Sequence, residues 1–232
     1  MVRDTFIKKK WDVNDSFFYV LFHNDTAVRQ LERYPHRILK FSRKWNDRLF
    51  DQSLAEMELN PNDMISEEEF ESVWNNIEIK PLVTFIPEGD IFEVESVHSY
   101  AHGCNCAGAM GRGIATQFKQ RYPAMYKEYY RLCKEGKFRP GDVYDYDYGN
   151  GHIYNLGTQE TWQTKAKLEY IADSLEKMLT LAEKDQVSAI ALPAIGAGLG
   201  GLKWEDVKVT VKDVARYHPS VDLYVVESYK GT

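Results

Sequence analysis

Residues 187–201 read VSAIALPAIGAGLGG, an apolar strand pattern that runs directly into four glycines. A short, almost continuous apolar run of this kind is typical of a strand buried on both faces of a sheet. Residues 102–115, HGCNCAGAMGRGIA, repeat the arrangement at the end of a second strand-like stretch. A helical pattern follows each loop, so strand, glycine loop and helix occur twice, at 97–121 and 187–216. The sequence therefore predicts an α/β domain with both loops at the carboxyl ends of strands, where open α/β sheets bind ligands.

The rest of residues 81–232 continues this alternation of strands and helices. A helical pattern after the first loop is broken by Pro123 and ended by Gly136. The sequence Gly149-Asn150-Gly151 lies between alternating aromatics and predicts a hairpin, whose YDYDY strand (residues 144–148) should turn its acids outward. One apolar stripe at helical spacing predicts a longer helix: Leu168, Ile171, Leu175, Met178, Leu179 and Ala182. We expect a three-layer α/β/α domain with a mixed sheet over this part.

Residues 1–80 have a different composition, which is rich in charged residues and tryptophan and contains no glycine. We expect a small, mostly helical N-terminal extension, in which the basic segment 36–54 forms a helix. That helix either is a solvated face over a small core or contacts a nucleic acid or protein. Residues 58–69 match either a calcium loop or a helix start capped by Ser66 with Glu69. Position 63 is Asp rather than the glycine that a calcium loop needs, which favours the helix start.

The bulk composition limits the class of protein. The chain has 232 residues, a formal net charge of -6 and three cysteines. The negative charge disfavours nonspecific binding to nucleic acid or to an anionic membrane, although a nucleotide pocket built from backbone N–H groups remains compatible with it. No run approaches the roughly 18 apolar residues of a membrane span. We expect a cytoplasmic protein without disulfides, cofactor or membrane partner.

The two glycine loops have a chemistry of their own. Glycine lets backbone N–H groups point inward and lets a ligand approach the chain closely, and a helix N-terminus adds partial positive charge. Two such loops side by side predict a cleft for a phosphate-bearing ligand; the alternative is that both are ordinary turns. GAMGRG is neither the dinucleotide fingerprint nor a P-loop, because the glycine spacing differs and no Gly-Lys-Ser/Thr follows.

Four motifs in the order PEGDI, HGCNCAGAMGRGIATQF, YNLGTQ and ALPAIGAGLGGLKWEDV resemble the macrodomain family. The resemblance covers residues 81–232, and the four motifs together are highly specific. HGCNCAGAMGRGIA is similar to the yeast-type ADP-ribose 1″-phosphate phosphatases, whereas MGRGIA and LGGLKWEDV are also similar to the branch of terminal ADP-ribose glycohydrolases and bacterial DNA ADP-ribosyl hydrolases. The resemblance implies a hydrolase that removes a group from the distal ribose of ADP-ribose, with phosphate from ADP-ribose 1″-phosphate as the first expectation. Two alternatives remain: a hydrolase that reverses ADP-ribosylation of protein or nucleic acid, and a noncatalytic ADP-ribose reader.

The resemblance also implies residue roles. Asp90 should accept a hydrogen bond from the adenine amino group, with the Ile91 N–H nearby, and Asn105 should bind the distal ribose. Backbone of the first loop should surround the distal ribose and pyrophosphate, through Gly111, Gly113 and Ile114. The second phosphate loop should consist of Gly196, Ala197, Gly198, Leu199 and Gly200.

Candidates for chemistry are few. His102, with Asn105, is the candidate catalytic pair: the imidazole acts either as a general acid or base at the distal ribose or as a strand histidine that holds the loop. The glycohydrolase branch carries a nucleophilic lysine where this chain has Gln159, so a lysine mechanism is not expected. Cys104 and Cys106 with one histidine are too few ligands for zinc, and no metal is expected. Trp162 follows a ligand-side strand and is a candidate for the cleft mouth.

Overall fold

The chain divides into two compact units, Met1–Pro81 and Leu82–Thr232. Each unit has hydrophobic clusters of its own. The computed structural model describes residues 3–10, 16–34, 37–45, 49–76 and 81–230.

The first unit is built on an antiparallel sheet of four strands in the order β1-β2-β3-β4. The prediction of a mostly helical extension is therefore wrong, as is the prediction of a helix over 36–54, where 37–42 is a strand and 36 and 46–48 lie outside the described residues. The described residues contain one α-helix in this unit, α1 (Glu67–Asn75). The strands are β1 (Asp4–Lys10), β2 (Phe17–His23), β3 (Thr26–Tyr34) and β4 (Arg37–Ser42).

The burial of β2 explains why its sequence does not show the alternating pattern of a strand. Side chains on both of its faces are buried, among them Val20 on one face and Leu21 on the other. Because no polar face remains, the alternation that marks a half-buried strand is absent. The start of α1 was predicted correctly, since the Ser66 hydroxyl accepts from the Glu69 N–H at 3.1 Å as an N-cap. The Glu69 carboxylate lies 3.5 Å from Lys8 Nζ.

The second unit is a six-stranded mixed sheet with helices on both faces, which confirms the predicted α/β fold. The strand order is β5-β10-β9-β6-β8-β7, and only β7 runs antiparallel to its neighbour. The strands are β5 (Val83–Gly89), β6 (Ser99–Asn105), β7 (Val143–Asp147), β8 (His152–Gln159), β9 (Ala189–Pro193) and β10 (Asp222–Tyr229). The helices are α2 (Ala115–Arg121), α3 (Pro123–Lys134), α4 (Leu168–Lys184) and α5 (Trp204–Ala215).

Each face of this sheet packs into a hydrophobic cluster of its own. Helices α4 and α5 cover one face, and the predicted stripe on α4 is completely buried apart from Leu168. Helices α2 and α3 cover the other face, and the chain breaks between them at Pro123 as predicted. Gly136 ends the second of these helices with a φ of 67°. None of the described helices is long and apolar enough to cross a membrane.

The predicted hairpin joins β7 and β8 at the edge of the sheet, and the Tyr148 N–H donates to the Gly151 carbonyl at 3.0 Å. Its acids do not all turn outward as expected. Asp145 faces the α4 side of the sheet and its side chain is 20% exposed. The prediction is wrong for this residue because the C-terminal end of α4, which Asp185 caps, packs over the hairpin.

Candidate functional site

A cavity of about 760 Å³ lies at the carboxyl ends of β6, β8 and β9. Its walls contain both predicted glycine loops, one between β6 and α2 and the other between β9 and α5. Pockets of roughly 300–1,000 Å³ are typical of small-molecule sites. Nine of the residues predicted to bind the ligand line it: Asn105, Gly111, Gly113, Ile114, Gly196, Ala197, Gly198, Leu199 and Gly200.

Asn105 organises the first loop with its side-chain amide. Its Oδ1 accepts from the N–H groups of Ala107 and Ala109, at 3.1 and 3.2 Å, and its Nδ2 donates to the Ala109 carbonyl at 2.7 Å. The Tyr129 hydroxyl donates to the Asn105 carbonyl from α3. An amide nitrogen carries two hydrogens, so Asn105 retains one donor for a ligand after folding the loop.

The loops present several backbone donors to the cavity. Several lining N–H groups donate to no acceptor among the described residues, and they include those of Gly111, Gly113, Gly198, Leu199 and Gly200. A Cβ built on Gly111 or Gly198 would meet no heavy atom within 4 Å, so ligand atoms can approach the backbone there. This arrangement suits a ligand that is rich in acceptor oxygens.

Close packing makes glycine necessary at two positions of the second loop. A Cβ on Gly196 would lie 2.5 Å from Ile171 Cδ1, and Gly196 has a φ of 73°. A Cβ on Gly200 would lie 2.5 Å from the Gly196 carbonyl oxygen and 2.9 Å from Ala166 Cβ. The Gly200 carbonyl accepts from the Ala166 N–H at 3.0 Å, which ties the loop to the segment before α4.

The two loops approach each other across the cavity at Gly113 and Leu199. A Cβ on Gly113 would lie 3.9 Å from Leu199 Cδ1, although the Leu199 side chain is 71% exposed overall. Gly113 has a φ of 59°, a left-handed conformation that favours glycine. An exposed leucine at the point where the loops come together places an apolar side chain at the rim.

Asp90 and Ile91 lie beside the cavity rather than in its wall. The Asp90 side chain is 1% exposed; its Oδ1 accepts from the Phe92 N–H at 2.9 Å, and Arg121 Nη2 lies 3.8 Å from Oδ2. Oδ2 has no hydrogen-bond partner among the described residues. Burial raises the pKa of Tyr229, a lining residue, and the nearby Asp90 carboxylate raises it further. The Ile91 side chain is completely buried, so only its backbone is available to a ligand.

His102 lies in the core. It precedes the end of β6 by three residues, or about 10 Å of strand, and is absent from the cavity wall. Its ring stacks on Phe118 of α2, and its Nε2 lies 3.0 Å from Asn155 Oδ1. Burial lowers the pKa of His102 to about 4, against the smaller opposing effect of the Asn155 hydrogen bond. This placement favours the strand histidine that supports the loop over a general acid or base.

Gln159 is the last residue of β8, and Trp162 lies in the segment that follows this strand. The Gln159 amide nitrogen donates to the Thr164 carbonyl at 2.6 Å, so this residue closes the turn after β8. Trp162 lines the cavity while 63% of it is exposed, which places it at the predicted mouth. Lys165 is exposed, and its aliphatic carbons run within 4.0 Å of the Cβ position of Gly201.

The cysteines do not form a reactive centre. Cys104 is buried, and burial raises the pKa of its thiol well above the ordinary value. Burial also raises the pKa of Cys106 to about 12 and raises that of Cys133. Among the described residues, no potential metal cluster includes any of the three.

Sequence reasoning missed one wall of the cavity, formed by Trp204, Glu227 and Tyr229. The Trp204 indole N–H donates to Glu227 Oε1 at 2.7 Å, and Lys208 Nζ lies 2.6 Å from the same oxygen. The hydrogen bond from Lys208 lowers the pKa of Glu227 most, and the hydrogen bond from Trp204 lowers it further. Trp204 fits the apolar stripe of α5, and the pattern carries no signal that its indole edge faces a cavity.

Comparison with known proteins identifies the second unit. The Macro domain family model matches residues 101–211. A DNA ADP-ribosyl glycohydrolase of Mycobacterium tuberculosis is 34% identical over 148 residues, which are 62% of this chain and 42% of that protein. An ADP-ribose 1″-phosphate phosphatase of the yeast Meyerozyma guilliermondii is 27% identical over 171 residues, 60% of this chain and 96% of that protein. The chain thus spans less than half the length of the mycobacterial glycohydrolase.

The solved structures agree with this assignment. The macrodomain of Mycobacterium tuberculosis DarG superimposes with a TM-score of 0.60 and 32% identity, over 64% of this chain and 99% of that one. The match takes in the whole of that domain, and the glycine-loop cavity lies within the second unit. This chain belongs to the macrodomain family.

Proposed function

We propose that the second unit binds ADP-ribose in the cavity between its glycine loops and hydrolyses the bond that links the distal ribose to a macromolecule. The observation that carries the binding part is the set of backbone N–H groups, from both loops, that have no acceptor among the described residues. A pyrophosphate offers these donors several charged acceptors. Binding through backbone amides also fits a chain with a net charge of -6.

Asp90 supports an adenine site beside the cavity. Its buried Oδ2 has the Arg121 guanidinium at 3.8 Å but no hydrogen-bond partner among the described residues, so it can accept a hydrogen bond from a ligand. The adenine amino group is a donor of that kind, and the Ile91 N–H would complete the recognition. In this orientation Asn105, at the end of β6, would offer its remaining amide hydrogen to the distal ribose.

Two observations favour a macromolecular substrate over a free phosphate ester. Trp162 and Leu199, both largely exposed, border the cavity and offer apolar contact area beyond the ADP-ribose itself. Relatives named DNA ADP-ribosyl glycohydrolase are 32–34% identical to this chain. In the proposed reaction water adds at C1″, the bond to the macromolecule breaks, and ADP-ribose and the unmodified macromolecule leave.

The phosphatase activity is the second candidate. It is supported by HGCNCAGAMGRGIA at residues 102–115 and by the yeast relative. The match covers 96% of the length of that yeast protein. The expected catalytic group for this activity is His102, and the buried, stacked position of that ring favours a supporting role over a catalytic one. A lysine nucleophile is equally unsupported, because Gln159 occupies the expected position and is engaged with Thr164.

The test uses the full chain and three substrates side by side. ADP-ribose binding is measured by calorimetry, and turnover is measured on an ADP-ribosylated DNA oligonucleotide, an ADP-ribosylated protein and ADP-ribose 1″-phosphate. We expect binding, and release of ADP-ribose from the DNA oligonucleotide faster than release of phosphate from ADP-ribose 1″-phosphate. Phosphate release alone would establish the second candidate, and binding without turnover would leave a noncatalytic reader.

A matched variant ties both results to the cavity. Gly111→Val places a branched side chain where no heavy atom lies within 4 Å of the Cβ, so it should block the approach of a ligand to this backbone without destabilising the loop. We expect ADP-ribose affinity to fall at least tenfold while the thermal midpoint stays unchanged. Unaltered affinity in this variant would place the ligand elsewhere.

A further inference from the structure

The hairpin edge of the second sheet carries a cluster of potential metal ligands. Asp145 of β7, His152 of β8 and Asp185 after α4 each offer one ligand atom, and these atoms lie within 4.8 Å of one another. His152 Nδ1 is 2.9 Å from Asp145 Oδ1 and 3.1 Å from Oδ2. The side chains of Asp145 and His152 are 20% and 16% exposed, so most of the pair is withdrawn from water.

Tyr154 supplies an independent sign of a ligand at this place. It pairs directly opposite Asp145, and its ring is parallel to that of His152 with centroids 5.7 Å apart. The residue is completely buried, and its hydroxyl has no hydrogen-bond partner among the described residues. The cross-strand pairing with Asp145 and the parallel ring of His152 place Tyr154 beside the cluster. A buried phenol without a hydrogen-bond partner is costly unless another group completes the site.

We propose that Asp145, His152 and Asp185 bind one divalent transition-metal ion, with the Tyr154 hydroxyl as a fourth polar group at the site. Imidazole and carboxylate ligands suit Zn²⁺, and they also suit Mn²⁺. Zinc bonds of about 2.0 Å at tetrahedral angles place neighbouring ligand atoms roughly 3.3 Å apart. The distances between His152 and Asp145 are already close to this value, so small side-chain shifts would admit the ion.

The proposed ion would neutralise the negative charge of the cluster. Two carboxylates beside a single imidazole leave negative charge that a divalent cation neutralises. The cluster has no cysteine, which is why the search for Cys and His spacings in the sequence led to the expectation of no metal.

The position of the cluster makes the ion a structural clamp. His152 begins β8 and Gln159 ends it at the cavity, so about 23 Å of strand separates the two sites. A bound ion would tie the end of α4 to the hairpin that forms the edge of the sheet. The proposal is therefore independent of the function of the cavity.

The test is a titration of the full chain, stripped with a chelator, with Zn²⁺, Mn²⁺, Mg²⁺ and Ca²⁺ in separate calorimetric experiments. We expect one equivalent of Zn²⁺ or Mn²⁺ to bind, with Mg²⁺ and Ca²⁺ at least tenfold weaker. At a hundredfold excess over Kd, the metal should raise the midpoint of thermal unfolding by about 5 °C. Tyr154→Phe should weaken binding severalfold.

Asp185→Asn is the decisive variant, because Asp185 is exposed and its loss leaves the core intact. We expect a loss of at least tenfold in affinity and loss of the thermal shift; His152→Ala should behave alike. Glu169→Gln, the same charge change at the other end of α4, and His98→Ala, an exposed histidine, are the controls and should bind as the parent does. Absence of stoichiometric binding, or binding that survives Asp185→Asn, would overturn the proposal.

Discussion

The imidazole of His102 lies parallel to the ring of Phe118, with centroids 3.9 Å apart and an interplanar angle of 10°. This stack, completed by Asn155, holds a neutral histidine in the core beneath the first glycine loop. The loop begins at the end of the same strand, so the histidine supports the cavity from behind. We therefore expect its chemistry to affect stability rather than a proton transfer to substrate.

Stability of the second unit should fall between pH 6.5 and pH 4. The pKa of His102 is about 4 in the folded protein against an ordinary 6.5, so the unfolded chain takes up the proton first. The stabilisation is fully present above pH 6.5 and is lost as the pH falls toward 4, by about 3 kcal/mol in total. Urea unfolding followed by circular dichroism at pH 7.5 and 4.5 measures it.

Two variants isolate this contribution. His102→Gln retains a donor for Asn155 without a titrating ring, and should lose most of the difference between the two pH values. His98→Gln removes an exposed histidine and should keep the full difference. If His102→Gln instead lowered turnover by the roughly 10²–10⁴-fold typical of a lost general acid or base, with ADP-ribose binding intact, the supporting role assigned here would be refuted.

Gly200→Ala and Gly198→Ala should differ sharply although both lie in the second loop. The new methyl at 200 would lie 2.5 Å from the Gly196 carbonyl oxygen, so the loop must shift at a cost of about 1–3 kcal/mol. The methyl at 198 meets nothing within 4 Å and should change stability by less than about 0.5 kcal/mol. Urea midpoints compare them, and equal midpoints would contradict the packing described for this loop.

The thiols of the native protein should react slowly. With a pKa of about 12, roughly one Cys106 side chain in ten thousand is a thiolate at pH 8, and Cys104 is buried. We expect a colorimetric thiol reagent to label the native chain at least a hundredfold more slowly than the chain in urea, where three equivalents should react. One fast equivalent in the native protein would reveal an opening of the first loop.

The elements around the cavity could be predicted because each has a local signal. The stripe on α4, the break at Pro123 and the glycines of the hairpin all act within a few residues of the chain. The two loops follow from the same logic, since glycines after an apolar strand mark a turn at the end of a sheet. The macrodomain resemblance extended these local signals to the whole second unit.

The remaining features depend on contacts between distant segments. Both faces of β2 are buried in the folded sheet, so its sequence shows no alternation of apolar and polar residues. His102 is polar in a strand covered on both faces, and only the position of Phe118 decides that it lies in the core. Asp145 likewise owes its partial burial to α4, which begins more than twenty residues later in the chain.

Trp162→Ala should weaken action on ADP-ribosylated DNA far more than action on a small substrate. The indole lines the cavity yet is 63% exposed, so it is free to stack on a base next to the modified nucleotide. Stacking of this kind contributes about 1–3 kcal/mol per base, which corresponds to a loss of roughly 5- to 150-fold in kcat/KM. Steady-state kinetics on an ADP-ribosylated oligonucleotide measure it.

Tyr217→Ala is the matched control, because Tyr217 is an equally exposed aromatic, 72% accessible, that follows α5 and does not line the cavity. We expect its kinetics to equal those of the parent. ADP-ribose affinity should also be unchanged in Trp162→Ala, since the indole borders the mouth rather than the loops. Equal losses on the oligonucleotide and on ADP-ribose itself would instead make Trp162 part of the ADP-ribose site, and the preference for a nucleic-acid substrate would lose its structural support.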